Sequence, residues 1–354
     1  MFSSFTPKLL ITLGWHLSLG AVGGLAASAI GLPMPFLLGS LLAVAPVVIW
    51  QSASGRETLR FPRPLRFFFV GVIGMLIGSR FSPELVAKLP TIWISLIAVA
   101  VFVVLAHLLG YTVYRRLGGY DRVTALYGSM PGGLIEGVAL GEKAGGDLVL
   151  LTVHHFARIV IVVFAVPFLF LVVSGDVVGS ASGLTLAASA SSLFDVALIA
   201  AIALVGAGVG IKINLPAGHL MGPLILAGAL HATGAIAVES PGWLVALAQL
   251  IVGTALATQF AGASIPVLTR AFGLTLIAVL GMFVIASATA WLMAEYTVLD
   301  FPAAFVSFAP GGVAEMGLIA LSLDASPVIV AAHHLVRIVL TVIFVRAVAA
   351  RLAR

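Results

Sequence analysis

The sequence Pro131-Gly132-Gly133-Leu134-Ile135-Glu136 interrupts a long apolar run and is followed by His154-His155 and Arg158. The same pattern returns as Pro310-Gly311-Gly312-Val313-Ala314-Glu315, followed by His333-His334 and Arg337. Every matched position is displaced by the same 179 residues, about half of the chain. Charged side chains inside a bilayer are costly, so a duplicated set of this kind is difficult to explain by packing alone. The two motifs therefore indicate where the function lies.

The composition is that of an all-α integral membrane protein. The chain has 354 residues, of which 61% are hydrophobic and 9% charged, whereas a soluble domain has about 25% charged residues. No stretch between the apolar runs is long enough for a separate soluble domain, which excludes an independent DNA-binding or catalytic domain. The net charge of +5 comes from basic residues that collect in short loops. Basic loop residues set the orientation of a membrane protein, since they favour the cytoplasmic side. We expect no nucleic-acid partner and no enzymatic activity.

The chain contains no cysteine, so disulfides and thiolate metal sites are excluded. The N-terminal run from Lys8 to Ile30 resembles a signal peptide, with Ala27-Ser28-Ala29 as a cleavage site. We favour a retained first helix, because the second half of the chain has a counterpart for it.

Six apolar segments occur in each half of the sequence. They lie near 9–31, 34–50, 67–80, 89–114, 123–141 and 148–173, and near 193–213, 217–237, 243–261, 266–294, 301–321 and 327–347. Further matches between the halves include Gly39 with Gly222, displaced by 183 residues, and Gly74 with Gly253, displaced by 179. These matches predict a first membrane repeat over 1–175, a linker rich in serine, glycine and alanine over 176–192, and a second repeat over 193–354.

The fifth segment of each half is too interrupted to span the bilayer in one piece, since a span needs about 20 apolar residues. If it enters and leaves on one side, the basic loop residues face the cytoplasm and the acidic ones face outward. Each half then has about five transmembrane helices plus a re-entrant hairpin or discontinuous helix. An odd number of spans makes the repeats inverted, with both termini cytoplasmic. Inverted repeats with broken helices near the midplane are typical of secondary transporters.

Glycine and arginine in the motifs are suited to binding an anion. Gly132, Gly133, Gly311 and Gly312 permit close backbone approach to a ligand, and a helix that begins there presents its positive end. Arg158 and Arg337 can grip a carboxylate at two points. His154 and His333 stand four residues before these arginines and share their helix faces, so all eight residues are predicted to bind substrate.

Glu136 and Glu315 are predicted to bind the coupling ion, because a buried carboxylate can accept a proton or bind a cation. A structural ion pair with Arg158 or Arg337 is the alternative. A copper or zinc site from histidine and glutamate is the third reading. We predict no metal and no cofactor, since adjacent histidines on a helix point in different directions.

The doubled Pro-Gly-Gly-x-x-Glu and His-His-x-x-Arg motifs resemble the AbrB-type membrane proteins, a duplicated bacterial family, over nearly the whole chain. Members are labelled as transcriptional regulators or as ammonia monooxygenases. Neither label agrees with this sequence, which has no DNA-binding domain and no convincing copper site. The family resembles the cation/proton antiporter and anion symporter superfamily. It also resembles the glutamate and citrate symporters, with two five-helix halves and glycine-rich re-entrant loops. That resemblance implies an elevator-type carrier.

The leading hypothesis is a multi-pass transporter of the bacterial inner membrane. Its partners are the lipid bilayer, a small organic or amino-acid-like anion and a coupling cation, H+ or Na+, and a homodimer is left open. A membrane sensor that controls gene expression with a transporter fold is the first alternative. A metal-dependent membrane monooxygenase is the second.

Overall fold

The protein is an all-α, multi-pass membrane protein, as the composition predicts. The computed structural model describes residues 6–81, 89–174, 192–238, 240–323 and 325–352. Within these ranges the regular structure is helical, with no strand, and eight helices are long and apolar enough to cross a membrane. The predicted linker lies outside the described residues except for Ser192. The inverted relationship of the two halves stays a prediction.

Seven α-helices are described in each half of the chain. The first half contains α1 (Pro7–Ala29), α2 (Pro35–Ala53), α3 (Arg63–Gly78), α4 (Trp93–Thr112), α5 (Arg122–Gly128), α6 (Leu134–Lys143) and α7 (Leu148–Ser174). The second contains α8 (Leu193–Lys212), α9 (Gly218–Ala232), α10 (Gly242–Ala257), α11 (Ile265–Tyr296), α12 (Phe301–Phe308), α13 (Val313–Ser322) and α14 (Pro327–Leu352). Short 3-10 turns occupy Leu89–Ile92 and Thr258–Phe260, and a π-helical turn extends α4 over Val113–Leu117.

The fifth apolar segment of each half is broken at the Pro-Gly-Gly sequence, giving the short pairs α5–α6 and α12–α13. Both segments begin at an aspartate N-cap. The Asp121 carboxylate accepts hydrogen bonds from the amides of Val123 and Thr124 at 2.8 and 2.9 Å, and Asp300 accepts from Ala303 at 3.1 Å. Because an N-cap satisfies otherwise unpaired amides, these residues fix where each broken segment starts.

The helices form two compact units. Unit 1 comprises Met1–Arg80 and Pro167–Ile265, and unit 2 comprises Phe81–Val166 and Pro266–Arg354. Each unit takes helices from both halves of the sequence, so the compact units divide the chain differently from the sequence repeats. Unit 2 contains both broken segments and all the motif residues.

Glycines bring the helices of unit 1 into backbone contact. A Cβ on Gly23 of α1 would lie 2.4 Å from the carbonyl oxygen of Gly39 in α2. In the second half, a Cβ on Gly222 of α9 would lie 1.9 Å from the carbonyl oxygen of Gly206 in α8. Small residues at such seams let membrane helices approach closely.

A second set of glycine contacts joins helices from different halves within unit 1. Gly74 of α3 faces the Leu220 carbonyl of α9, and Gly253 of α10 faces the Leu37 carbonyl of α2. A Cβ on Gly74 would lie 2.3 Å from the Leu220 oxygen, and a Cβ on Gly253 would lie 2.4 Å from the Leu37 oxygen. The glycine pair matched in the sequence therefore occupies matched packing positions.

Unit 2 encloses the two broken segments. Leu126, Tyr127 and Met130 pack with Leu151 of α7 and Val345 of α14. Phe308 of α12 packs against Phe102 of α4, with ring centroids 5.9 Å apart. Irregular backbone is tolerated at membrane depth only where protein or a cavity surrounds it, and these contacts provide that enclosure.

Candidate functional site

Arg337 of α14 binds the break between α12 and α13. Its guanidinium group donates to the carbonyl oxygens of Ala309 and Gly311 at 2.5 and 2.6 Å, and one nitrogen lies 2.9 Å from His334 Nδ1. The side chain is 1% exposed. Its Nε is buried and has no hydrogen-bond partner among the described residues.

Arg158 of α7 makes the corresponding contact in the first half. It donates to the Met130 carbonyl oxygen at the break between α5 and α6. Met130 and Ala309 are 179 residues apart, as are Arg158 and Arg337. Arg158 is 5% exposed, and its buried Nε also lacks a partner within the described part of the chain. A helix end leaves carbonyl oxygens without intrahelical partners, and the two arginines satisfy them here.

The second histidine of each pair also faces its break. His155 Nε2 donates to the Tyr127 carbonyl oxygen, and His334 Nε2 to that of Val306, both at 3.0 Å. A Cβ on Gly137 would lie 2.6 Å from His155 Nε2, so α6 packs directly on this ring. The structure thus places His155 and His334 beside the arginines, whereas the four-residue spacing pointed to His154 and His333.

The first histidine of each pair contacts a long helix of the opposite half. His154 Nδ1 lies 2.7 Å from the Thr275 hydroxyl of α11, and its Nε2 lies 3.0 Å from the Tyr120 hydroxyl. His333 Nδ1 donates to the Ile329 carbonyl oxygen at 2.8 Å, and its Nε2 lies 2.8 Å from the Ser95 hydroxyl of α4. These imidazoles connect α7 to α11 and α14 to α4.

The motif glycines differ in their local roles. Gly133 has a φ of +69°, a left-handed conformation that costs other residues about 1–2 kcal/mol. Gly312 has a φ of −80°, and a Cβ there would lie 2.0 Å from Glu315 Oε2. A Cβ on Gly132 would lie 3.2 Å from Arg337 Nε. This contact brings the break of the first half together with the arginine of the second.

Each motif glutamate occupies the first turn of the helix after the break. Glu136 is the third residue of α6, and Glu315 is the third residue of α13. Glu136 is partly buried, and Glu315 is 8% exposed. A carboxylate is stabilised at the positive end of a helix. Within the described residues, Glu136 forms no ion pair with Arg158 or Arg337, since the ion pair that the structure shows there joins Lys8 and Glu57.

The histidines do not converge on a common point. His154 faces Thr275 and Tyr120, while His155 faces the Tyr127 carbonyl. No group of three or more histidine, aspartate or glutamate side chains among the described residues could hold a metal ion. The divergence follows from the rotation of about 100° between successive helical residues.

Sequence reasoning missed the hydroxyl partners of the histidines. Tyr120 lies in the loop before α5, where burial raises the pKa of its phenol and the nearby charge of Arg270 opposes that shift. Thr275 and Ser95 are hydroxyl residues on the apolar helices α11 and α4, which also carry other hydroxyl residues. His107, which has no matching partner in the second half, lies 3.3 Å from the Ser129 hydroxyl at the first break. No spacing pattern in the sequence distinguishes these residues.

The family model described as "Transition state regulatory protein AbrB" matches residues 36–354, nearly the whole chain and both broken segments. The chain belongs to the AbrB family. One relative is "Uncharacterized protein YhjN" of Bacillus subtilis (strain 168), 23% identical over 351 residues, covering 93% of this chain and 90% of the relative. Another is "Putative regulator AbrB" of Escherichia coli (strain K12), 24% identical over 310 residues, covering 88% and 87%.

Proposed function

We propose that this AbrB-family protein is a secondary active transporter of a small organic or amino-acid-like anion, driven by H+ or Na+, in the bacterial inner membrane. The proposal is of a carrier and not of an enzyme. The observation that carries it is the contact of Arg337 with both breaks: its guanidinium binds the Ala309 and Gly311 carbonyls, and Gly132 lies against its Nε.

The two buried arginines support an anionic substrate. In the described part of the chain, the hydrogen bonds shown for these guanidinium groups go to carbonyl oxygens and one imidazole, which are neutral groups. An uncompensated buried charge is costly, and a carboxylate is a suitable two-point partner for a guanidinium group. A carboxylate seated between the breaks would bind the unpaired Nε groups of Arg158 and Arg337.

The glutamates supply a basis for coupling. Glu136 places its own negative charge at the positive end of α6, the position that would otherwise attract a substrate anion. Carboxylate and substrate therefore compete for the same helix end. A proton or a sodium ion bound by Glu136 removes that competition, so cation binding favours anion binding. The same argument applies to Glu315 at the start of α13.

His154 offers a proton route in the first half. Hydroxyl groups of Tyr120 and Thr275 flank its two nitrogens, and a hydroxyl can both donate and accept. Tyr120 adjoins the exposed loop residues Gly119 and Asp121. The positions matched to Tyr114 and Tyr120 in the second half are Met293 and Leu299. His333 contacts the Ile329 carbonyl oxygen and the Ser95 hydroxyl instead, so in this proposal the proton enters on the side of Tyr120.

The division into compact units supports an elevator-like mechanism. All motif residues lie in unit 2, which has its own core. Unit 1 is built around close glycine contacts between α1, α2, α8 and α9. In the proposed mechanism unit 2 carries the substrate and unit 1 is the scaffold.

Reconstitution into proteoliposomes tests the proposal. A thermal-stability screen of purified protein against carboxylates and amino acids selects the anion, and uptake of that anion is measured under an imposed pH or sodium gradient. We expect gradient-driven uptake that Arg158→Gln and Arg337→Gln abolish. Stabilisation by an anion with no uptake under either gradient would contradict the transporter assignment.

A membrane regulator of gene expression is the second candidate. It is supported by the word "regulator" in the name of the E. coli relative and by the family description. A regulator with a transporter fold would bind the anion through the same arginines. It would change transcript levels in cells when the gene is deleted, and it would show no uptake in proteoliposomes.

A further inference from the structure

A cavity of about 620 Å³ opens at one end of unit 1. It lies between the first turns of α1 and the loop that joins α2 to α3. Its lining residues are Thr6, Lys8, Leu9, Thr12, Arg56, Glu57, Thr58, Leu59 and Arg60. None of them belongs to the duplicated motifs, so the proposed transport function gives this cavity no role.

The cavity carries a net positive charge. Lys8 and Glu57 form an ion pair across it, and their side chains are 76% and 77% exposed. The hydrogen bond and charge of Lys8, with the charge of Arg60, lower the pKa of Glu57, so this carboxylate is ionised at neutral pH. Glu57 offsets one of the three basic side chains. The charges of Arg56 and Arg60 have no carboxylate counterpart in the lining.

Arg56 is held in place by an aromatic ring. Its guanidinium carbon lies 4.4 Å from the centroid of the Trp50 ring in α2, a cation–π contact. Such a contact leaves the N–H groups at the edge of the guanidinium plane available to other partners. Thr58 adds a hydroxyl group to the same lining, whereas the Thr12 hydroxyl donates to the Lys8 carbonyl oxygen at 2.9 Å. The arrangement suits a group with several negatively charged oxygen atoms.

The position of the cavity points to the membrane interface. α1 begins at Pro7 and α2 ends at Ala53, so the lining lies at the ends of two helices long enough to span the bilayer. Trp50 is 52% exposed, and exposed tryptophan is enriched at the headgroup level. Next to the cavity, α1 exposes a row of two large apolar side chains, Ile11 and Trp15, which are four residues apart on one helix face. An acyl chain can lie along this row while its headgroup occupies the cavity.

We propose that this cavity binds the phosphate headgroup of an anionic phospholipid, through Arg56, Arg60 and the Thr58 hydroxyl. Basic pockets between membrane helices bind anionic headgroups in this way. A soluble phosphate ester has the same chemistry at its charged end. The apolar row on α1 favours the lipid, because a soluble ester has no acyl chain to pack against these side chains.

The test compares matched arginine variants of the full-length protein. Melting temperature and native mass spectrometry of the purified protein are measured with phosphatidylcholine and with added phosphatidylglycerol. Arg56→Gln and Arg60→Gln remove lining charges. Arg63→Gln removes an exposed charge from the first residue of α3, close in sequence to Arg60, without touching the lining. We expect each lining variant to weaken phosphatidylglycerol binding about fivefold, and Arg63→Gln and the charge-conserving Arg56→Lys to bind nearly as wild type.

Soluble probes separate the two phosphate sources. Inorganic phosphate and glycerol 3-phosphate are added to the same variants at concentrations equal to that of the lipid. An equal, arginine-dependent shift with glycerol 3-phosphate would overturn the lipid assignment in favour of a soluble phosphate. Equal losses in Arg63→Gln and the lining variants, or no preference for phosphatidylglycerol, would overturn the site itself.

Discussion

Gly132 in the break of the first half lies against Arg337 of the second half, and a Cβ on Gly132 would come within 3.2 Å of the arginine Nε. Residues that the sequence places 205 positions apart, 337 − 132, therefore form one contact. The contact makes the glycine a sensitive position, because a Cβ there requires a small shift of a guanidinium group that binds two carbonyl oxygens, and a larger side chain requires more.

Gly132→Leu is expected to abolish uptake while the protein still inserts and folds. The added side chain pushes Arg337 from the Ala309 and Gly311 carbonyls, and such overpacking costs about 1–3 kcal/mol of stability. Gly273→Leu is the matched control, since a Cβ on Gly273 of α11 would meet no neighbouring helix or side chain within 4 Å. Uptake and melting temperature are measured on both. Wild-type uptake by Gly132→Leu would show that the contact between Gly132 and Arg337 is not required for transport.

Gly133→Ala separates backbone strain from function. Gly133 has a φ of +69° and Gly31 a φ of +68°, so alanine at either position costs about 1–2 kcal/mol. Gly31 lies between α1 and α2, outside the motifs. We expect both variants to show a similar fall in melting temperature, with loss of anion binding in Gly133→Ala alone. Equal binding by the two variants would show that the Gly133 conformation has no part in the site.

The sequence predicted the broken segments because Pro-Gly-Gly is incompatible with a continuous helix, and it predicted the membrane class from composition. It did not predict which histidine faces the break. Residue spacing shows which side chains share a helix face. It does not show which neighbours that face contacts, and tertiary packing brings Thr275 and Tyr120 to His154. The cross-half contact of Gly132 is likewise set by tertiary packing, which no single-sequence pattern encodes.

Glu136→Gln tests whether Glu136 couples cation binding to uptake or only stabilises the fold. Removing a charge from a helix N-terminus costs about 0.3–1 kcal/mol, whereas breaking a buried ion pair costs about 3–5 kcal/mol. Because Glu136 forms no ion pair with Arg158 or Arg337 in the described chain, we expect the smaller loss, together with uptake that no longer depends on pH. Melting curves and uptake at several pH values measure both. A large stability loss that Arg158→Gln partly reverses would instead favour a structural pair.

Tyr120→Phe tests the proton route to His154. The variant keeps the ring and removes the hydroxyl that lies 3.0 Å from His154 Nε2. We expect H+-driven uptake to fall about tenfold, as for a lost hydrogen bond to a charged group, with anion binding unchanged. Tyr111→Phe is the control, since Tyr111 packs in the same unit against the clusters that contain Val113 and Leu126.

Deuterium exchange at the histidine C2 carbon follows His154 without any transport assay. Exchange reports the protonation of each histidine separately, so we expect a pH-dependent rate at His154 that slows in Tyr120→Phe, and no change at His333. This outcome can be read even if the protein transports nothing. An unchanged His154 rate in Tyr120→Phe would remove Tyr120 from the route.

The inverted arrangement of the halves makes a prediction about two matched positions. Ser54 is the C-cap of α2 and Thr233 is the C-cap of α9, and both are exposed. They are 179 residues apart, the displacement that relates the motifs. Five spans in each half place Ser54 beside Arg56 and Arg60 on the cytoplasmic side, and place Thr233 on the outer side. Ser182, a reporter in the predicted outer linker, lies outside the described residues.

Single-cysteine labelling decides the topology, because the chain has no cysteine of its own. A membrane-impermeant maleimide is applied to intact spheroplasts and to inverted vesicles. We expect Ser54→Cys to react only in inverted vesicles and Thr233→Cys only in spheroplasts. Uptake by each variant confirms that the labelled protein is folded. If both cysteines react from the same face, the halves are parallel, and the broken segments then enter the membrane from one side, which removes the symmetry basis of alternating access.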